Sequence, residues 1–346
     1  MKITYPHCAT RVYDMELSRL SPNELFSAIL KRFPTAWEER YWGNELKHLP
    51  IEDIIRRLMG GNEHKDLVKS NGLMFKPAGH FYSPIVDTTF VLERKSSIFS
   101  KNKDIDGIDI NESYQKEFVQ FLESVEVNLP FRDAQSPEHR YFYDNNAFVW
   151  GDGAVYAAML MRHRPNKIIE IGSGYSSALA LDVIDRIDGY CPNVKLFDPY
   201  PELVKSILAN YPSENVSIDG KFIQDVPLED LSDLKAGDFY FMDTTHVVKT
   251  GSDVLYHFEE VLPRLKSGVI VHIHDIFWPF EYPMSWVVDD KLSWNELYYF
   301  RAFMTHNPQY EILFFNDFMR KNNSNLFRSS SVFLRNSGAS IWLRKK

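Results

Sequence analysis

The chain has 346 residues, 44% hydrophobic and 25% charged, an ordinary globular mix with length for about two domains and a large core. This excludes a disordered, collagen-like or coiled-coil protein, and a net charge of −8 argues against one built to hold a phosphate backbone. Cys8 and Cys191 are too few for a disulfide framework, no CxxC pair is present, and no apolar signal-type stretch opens the sequence, so a cytoplasmic protein without membrane is expected.

Ser21-Pro22-Asn23-Glu24 reads as a capping box opening a helix that ends before Pro34, and IEDIIRRLM supplies another. The aromatic stretch FKPAGHFYSPIVD reads as ordered loop, with His80, Phe81, Tyr82 and Ser83 placed to close over a substrate. DIDGID has only a superficial likeness to a calcium loop and reads as a turn. Asn111 is expected to cap a third helix whose apolar face carries Tyr114, Phe118, Phe121, Leu122 and Val125. This gives a mostly helical region over 1–139.

The texture then changes. From Lys167 onward short β-branched runs alternate with helical patterns: KIIEI, NVKLF, SIDGKFI, DFYFM and GVIVHI. Nearly unbroken apolar runs of this length suit strands covered on both faces, and the alternation implies a parallel sheet with crossover helices. Leu297, Phe300, Arg301 and Met304 fall at helical spacing before Asn307-Pro308, and YEILFF and SIWLR close the domain as strands. The second domain is therefore a doubly wound α/β unit over 140–346.

IIEIGSGYSS is the most informative segment. A buried strand ends at Ile171, and Gly172-Ser173-Gly174 turns into a helix rich in Ala and Leu. Glycines let a ligand approach the backbone, and the helix start offers free N–H groups. NVKLF ends at Asp198, a carboxylate placed to bind both hydroxyls of a ribose. A dinucleotide site wants GxGxxG or GxGxxA, but the third position here is Ser177, and Glu170 beside the turn would repel a pyrophosphate. A cationic, amino-acid-bearing ligand such as S-adenosylmethionine (SAM) suits that charge.

With these residues in view, EIGSGYSSA resembles motif I of class I SAM-dependent methyltransferases. FMDTTHVVKTGSDV and VHIHDIFWPFEYPMSW narrow the resemblance to the bacterial methyltransferase-24-like group, which GHFYSP, NAFVWGDG and WNELYYFRAF also fit. The resemblance spans roughly residues 70 to 346. It implies a Rossmann-like α/β fold with a seven-stranded sheet whose last strand is antiparallel. It also implies a cofactor site of Glu170, Gly172, Ser173, Gly174, Tyr175, Ser176, Asp198 and Asp243, with Gln224 and Asp225 flanking the adenine. Tyr143, Asn146 and Asp152 are expected to cover the methionine end.

Asp243 and His246 follow the fourth strand in DTTH, and His272, His274 and Asp275 end the fifth in HIHD. Carboxyl ends of parallel strands gather ligands, so both segments are expected in the crevice of the glycine turn. Transfer to a hydroxyl needs its proton removed, and His246 or His274 can accept it, with Asp243 and Asp275 orienting the base. Alternatively Asp243, His274 and Asp275 bind a divalent metal ion. Metal-dependent relatives carry Asp-Asp or Asp-Asn where this chain has His274-Asp275, and imidazole is foreign to magnesium. His272 reads as a packed side chain.

The expected activity is O-methylation of a small-molecule or sugar-containing metabolite, with no nucleic-acid partner; homo-oligomerisation stays open. The alternatives are a hydroxylase-like, non-methylating relative on the same fold and a SAM-binding scaffold without catalysis.

Overall fold

The computed structural model describes residues 21–29, 39, 41–43, 51–60, 75–100, 105–329 and 331–346. By its contacts the chain divides into two units, Met1–Asp87 and Thr88–Lys346. This division precedes the change of sequence texture near residue 140, because the intervening helix belongs with the sheet.

In the first unit, α1 (Pro22–Ile29) begins at the expected proline, and its end before Pro34 lies outside the described residues. It packs on α2 (Ile51–Gly60), where apolar residues three and four apart make one face. Leu25 and Phe26 meet Ile54 and Leu58, with Ile29, Trp42 and Ile55 at the margin. The Tyr82 amide donates to His80 Nδ1, turning the chain back so that the rings of His80, Phe81 and Tyr82 lie together and largely exposed.

The second unit begins with two short helical segments, Thr88–Glu93 and Lys95–Ile98, followed by α3 (Glu112–Glu126), which buries Phe118, Val119, Leu122 and Val125. Asn111 is not its side-chain cap. It adopts a left-handed φ of 53°, and its amide nitrogen instead donates to the Ile312 carbonyl at 2.8 Å, tying the helix start to the sheet. Helix α4 (Trp150–His163) runs through the core: Ala154 to Leu160 are entirely buried, and the alanines at 154, 157 and 158 let it lie close to its neighbours.

The sheet contains β1 (Lys167–Ile171), β2 (Asn193–Phe197), β3 (Val216–Asp219), β4 (Phe239–Met242), β5 (Ile270–Ile273), β6 (Tyr310–Phe315) and β7 (Ile341–Lys345). Their order is β3-β2-β1-β4-β5-β7-β6. The first five are parallel, and β7 runs antiparallel between β5 and β6. β4 and β5 are buried throughout, as their unbroken apolar runs require. On that face Phe241, Tyr156 and Trp342 pack edge to face or tilted, each ring contributing about 4–6 kcal/mol of apolar burial before entropy is subtracted.

One strand expectation changes in detail. Of SIDGKFI only Ser217–Asp219 is strand, the end of β3, because its partner β2 ends at Phe197, the residue paired with Asp219. Ile223–Asp225 form a single 3-10 turn instead. The strand expected at SIWLR is β7, in which Leu343 is buried and Arg344 pairs with Glu311. The sheet reverses its winding between β1 and β4, which opens a crevice at their carboxyl ends. Among the described residues no helix is long and apolar enough to cross a membrane.

Candidate functional site

At the end of β1 the chain enters Gly172 with φ +77°, and a Cβ there would lie 2.2 Å from the Asp243 carbonyl oxygen. The turn therefore lies directly on the end of β4, and only glycine meets both conditions. Backbone bonds lock it on both sides: Gly172 N donates to Phe197 O at 3.0 Å, and Asp243 N to Ile171 O at 2.9 Å. Ser173 donates to Asp198 Oδ2 through its amide and its hydroxyl, both at 2.9 Å, while Asp198 Oδ1 accepts the Tyr200 amide.

Helix α5 (Tyr175–Ile184) starts from this turn. Its Ser176 and Ser177 hydroxyls donate to Glu170 Oε1 at 2.5 and 2.8 Å. Glu170 is completely buried, and its Oε2 has no hydrogen-bond partner. Burial outweighs the two serine bonds, Asp243 and Asp198 add repulsion, and the carboxyl is pushed up to about 7. Glu170 thus lies beneath the turn rather than on its surface. No basic side chain is among the groups that set its charge, and an unpartnered carboxylate oxygen below a glycine turn fits a cationic occupant above it.

Gln224 and Asp225 sit in the 3-10 turn after β3, and Gln224 Nε2 donates to Gly251 O at 2.8 Å. Tyr143 and Asp152, expected over the cofactor, turn inward instead. Tyr143 packs between Phe131 and Tyr141, Asp152 is 2% exposed and bonded to Ala339 and Ser340, and Asn146 is exposed.

The strand-end cluster does converge. His246 Nε2 lies 3.4 Å from Asp243 Oδ1 and 3.5 Å from Asp275 Oδ2, between the ends of β4 and β5. Its Nδ1 is 2.8 Å from Glu296 Oε2. Glu296 is the first residue of α6 (Glu296–Met304), 1% exposed, and it also accepts the Thr244 hydroxyl at 2.7 Å. The start of this helix grips the loop through Asn295 N and Glu296 N, which both donate to His246 O. Thr245 is tied in turn to Asp253 by its amide and hydroxyl. His246 and Asp275 both have left-handed backbones, φ 59° and 57°. Such conformations cost about 1–3 kcal/mol each in non-glycine residues and persist only when surroundings enforce them.

Burial disfavours a charged His246, but Asp243 and Glu296 outweigh it and hold its pKa well above the ordinary histidine range. Asp243 is pushed up by burial yet ends below the usual carboxylate range, because His274 and His246 face it. Its side chain is 35% exposed, whereas Asp275 is 13% and His246 6% exposed, so the cluster opens at Asp243.

His274 is buried to the same degree, with Nε2 3.7 Å from Asp275 Oδ1. His272 is fully buried, stacked on Phe241 at 3.7 Å, and held neutral by burial and then by His274. Beside His246 stands Trp294 at 4.3 Å, continued by Trp286 and Phe277 into a partly exposed aromatic wall. Glu296 and Trp294 were not singled out as site residues in the sequence. The helical pattern of WNELYYFRAF marked the element, but nothing local indicates that its first carboxylate folds back onto DTTH.

The metal donor set does not fit. Asp243 and Asp275 are bridged by the imidazole of His246, which fills the space a shared cation needs. Among the described residues no group of three or more His, Cys, Asp or Glu side chains is arranged to hold a metal ion.

The methyltransferase-24 family, described as a methyltransferase domain, matches residues 169–276. An uncharacterised protein of Archaeoglobus fulgidus is 35% identical over 160 residues, covering 44% of this chain and 70% of that protein. Among solved structures, an SAH-bound methyltransferase of Podospora anserina is 14% identical with a TM-score of 0.38, over 74% of this chain and 96% of that one. An O-methyltransferase of Bacillus cereus in complex with SAH is 14% identical with a TM-score of 0.37, over 74% and 97%. The O-methyltransferase TomG of Streptomyces achromogenes, involved in tomaymycin synthesis and solved with SAM, is 12% identical with a TM-score of 0.36, over 75% and 96%.

Proposed function

The chain belongs to the class I SAM-dependent methyltransferases, and from that premise we propose that it methylates a hydroxyl oxygen of a small molecule. The observation that carries this reading is His246, fixed through Nδ1 by Glu296 and presenting Nε2 between Asp243 and Asp275.

When bound, SAM supplies a methyl group on a sulfonium. Ser173 and Gly174 offer the turn to its methionine part. Asp198 accepts two bonds from Ser173 on Oδ2 and one from Tyr200 on Oδ1, which leaves a lone pair of Oδ1 for a ribose hydroxyl. Glu170, beneath the turn, contributes a negative potential toward the cationic ligand. Gln224 and Asp225 flank the adenine.

The acceptor enters from the Asp243 side, the open edge of the cluster. Glu296 accepts the Nδ1–H, which makes Nε2 the atom that receives the acceptor proton as the oxygen attacks the methyl carbon in line. The neutral ring is needed for that step. Since the neighbouring carboxylates favour the charged ring, transfer by this route increases as pH rises. In the charged state the imidazolium balances Asp243 and Asp275, and so performs without a divalent ion the neutralisation that a metal provides in metal-dependent relatives. His274 is the second candidate base, as buried as His246 but with Ser340 rather than a carboxylate on Nδ1. The wall of Trp294, Trp286 and Phe277 supports an acceptor with an apolar ring face, an aromatic ring or the C–H face of a sugar.

Calorimetry with SAM and with NAD, followed by transfer of labelled methyl to a panel of hydroxyl-bearing acceptors, tests the reading. SAM is expected to bind and NAD not; tight NAD binding without SAM binding overturns it.

A further inference from the structure

Beside the strand-end cluster lies a second polar assembly, which His274 joins to it. Asp152, in the first turn of α4, directs Oδ1 at four donors: Asn316 Nδ2 and Ala339 N at 3.1 Å, Ser340 N at 3.0 Å and Ser340 Oγ at 2.5 Å. The fit is tight. A Cβ on Gly338 would meet the Asp152 carboxylate at 1.8 Å, and one on Gly151 would meet Ser337 O at 2.3 Å. Around Ser340 Oγ stand two ring nitrogens, His272 Nε2 at 2.9 Å and His274 Nδ1 at 3.5 Å.

A serine hydroxyl carries one proton. With that proton directed at Asp152, Ser340 Oγ has only lone pairs for the two imidazoles, so both facing nitrogens must be donors. For His272, held neutral with a single proton, this puts the proton on Nε2. Its Nδ1 is buried and makes no hydrogen bond. For His274 the same count keeps a proton on Nδ1; despite burial, Asp275, Asp243 and Asp152 favour the charged ring over the neutral one, and Nε2, the nitrogen turned to Asp275, is the one that gives up its proton to form the neutral ring and can then accept.

We propose that Asp152 and Ser340 are positioning residues that fix the tautomer of His274, so that its Nε2 rather than its Nδ1 serves the site. This rests on the reading of the site as one that moves the acceptor proton, but its wiring is measurable apart from turnover. The short bond from Ser340 to Asp152 is the element that sets the direction, since reversing the hydroxyl would make it a donor to one ring and require a bare nitrogen there.

The test is ¹⁵N NMR of histidine-labelled full-length protein, with His274 assigned by the loss of its signals in His274→Gln. Wild type is expected to show the neutral His274 ring with its proton on Nδ1. Ser340→Ala, a small change that leaves the Asp152 bonds to backbone in place, is expected to give a mixture of tautomers. It should also lower kcat for methyl transfer about tenfold with the SAM KM unchanged. Asp152→Asn, keeping a weaker oxygen acceptor, should fall between. A wild-type His274 with its proton on Nε2, or a Ser340→Ala spectrum identical to wild type, overturns the proposal. A tautomer change in Ser340→Ala with no methyl transfer by any form supports this wiring and overturns the methyl-transfer reading instead.

Discussion

Glu170→Gln separates the requirements of the fold from those of the cofactor. Burial lifts the Glu170 carboxyl from 4.5 to about 7, which at about 1.4 kcal/mol per pH unit amounts to about 3 kcal/mol against the charged form. The sign follows from proton binding. A carboxyl with its folded pKa above its unfolded one holds more protons in the folded state, so this contribution favours folding most below pH 4.5 and is lost as pH rises to about 7. Glutamine keeps an oxygen for Ser176 and Ser177 but places an amide N–H₂ where Oε2 has no partner, at a cost of about 1–3 kcal/mol. That cost is the same at every pH, whereas the charge cost is not. The stability difference between variant and wild type, from urea denaturation, should therefore swing by about 3 kcal/mol in favour of Gln between pH 4.5 and 8. Binding of a cation should return Glu170 to its charged form. Calorimetry of SAM binding near pH 7, in two buffers of different ionisation enthalpy, should thus detect proton release by wild type and none by the variant. SAM affinity at pH 8 should drop about tenfold in the variant, about 1.4 kcal/mol. A swing under about 1 kcal/mol, or equal SAM affinity in both proteins, refutes the reasoning.

Gly172→Ala should abolish measurable SAM binding while the far-ultraviolet spectrum is retained, since its Cβ would lie 2.2 Å from the Asp243 carbonyl; calorimetry decides. His246→Asn, chosen because asparagine tolerates the left-handed backbone at that position, should cut kcat by about 10²–10⁴ and change SAM affinity little. Full turnover by that variant would transfer the role to His274. Exhaustive chelation should leave initial rates unchanged, and restoration of lost activity by one added divalent ion would contradict the proposed role of His246. Trp294→Ala should raise the KM for the acceptor more than it lowers kcat, measured at saturating SAM.

The sheet was legible because its signals are local. KIIEI, DFYFM and GVIVHI announce buried strands by composition alone, and GSG with Asp198 marks the turn and its acidic partner. The convergence of DTTH and HIHD also follows from topology, since carboxyl ends of neighbouring parallel strands must meet. What was not legible depends on long-range closure. Glu296 reaches His246 across fifty positions of sequence, and Asp152 reaches Ser340 across 188. Asn111 shows the same limit at small scale: a residue with a strong capping preference spends its amide on Ile312 because tertiary contact overrides the local option. Glu170 was placed correctly beside the turn, but whether it faced the ligand or the core depended on Ser176 and Ser177 folding back beneath it.

The position of β7 between β5 and β6 bears on how the protein is made. Until Ile341–Lys345 has left the ribosome, β5 has an unpaired edge and β6 has no place in the sheet. A nascent or truncated chain thus exposes the strand carrying His272 and His274, with no Ser340 beside it, as a template for another molecule's strand. Aggregation of chains cut before Ile341 is the expected cost of covering the β5 edge with a strand that follows both of its neighbours in the chain.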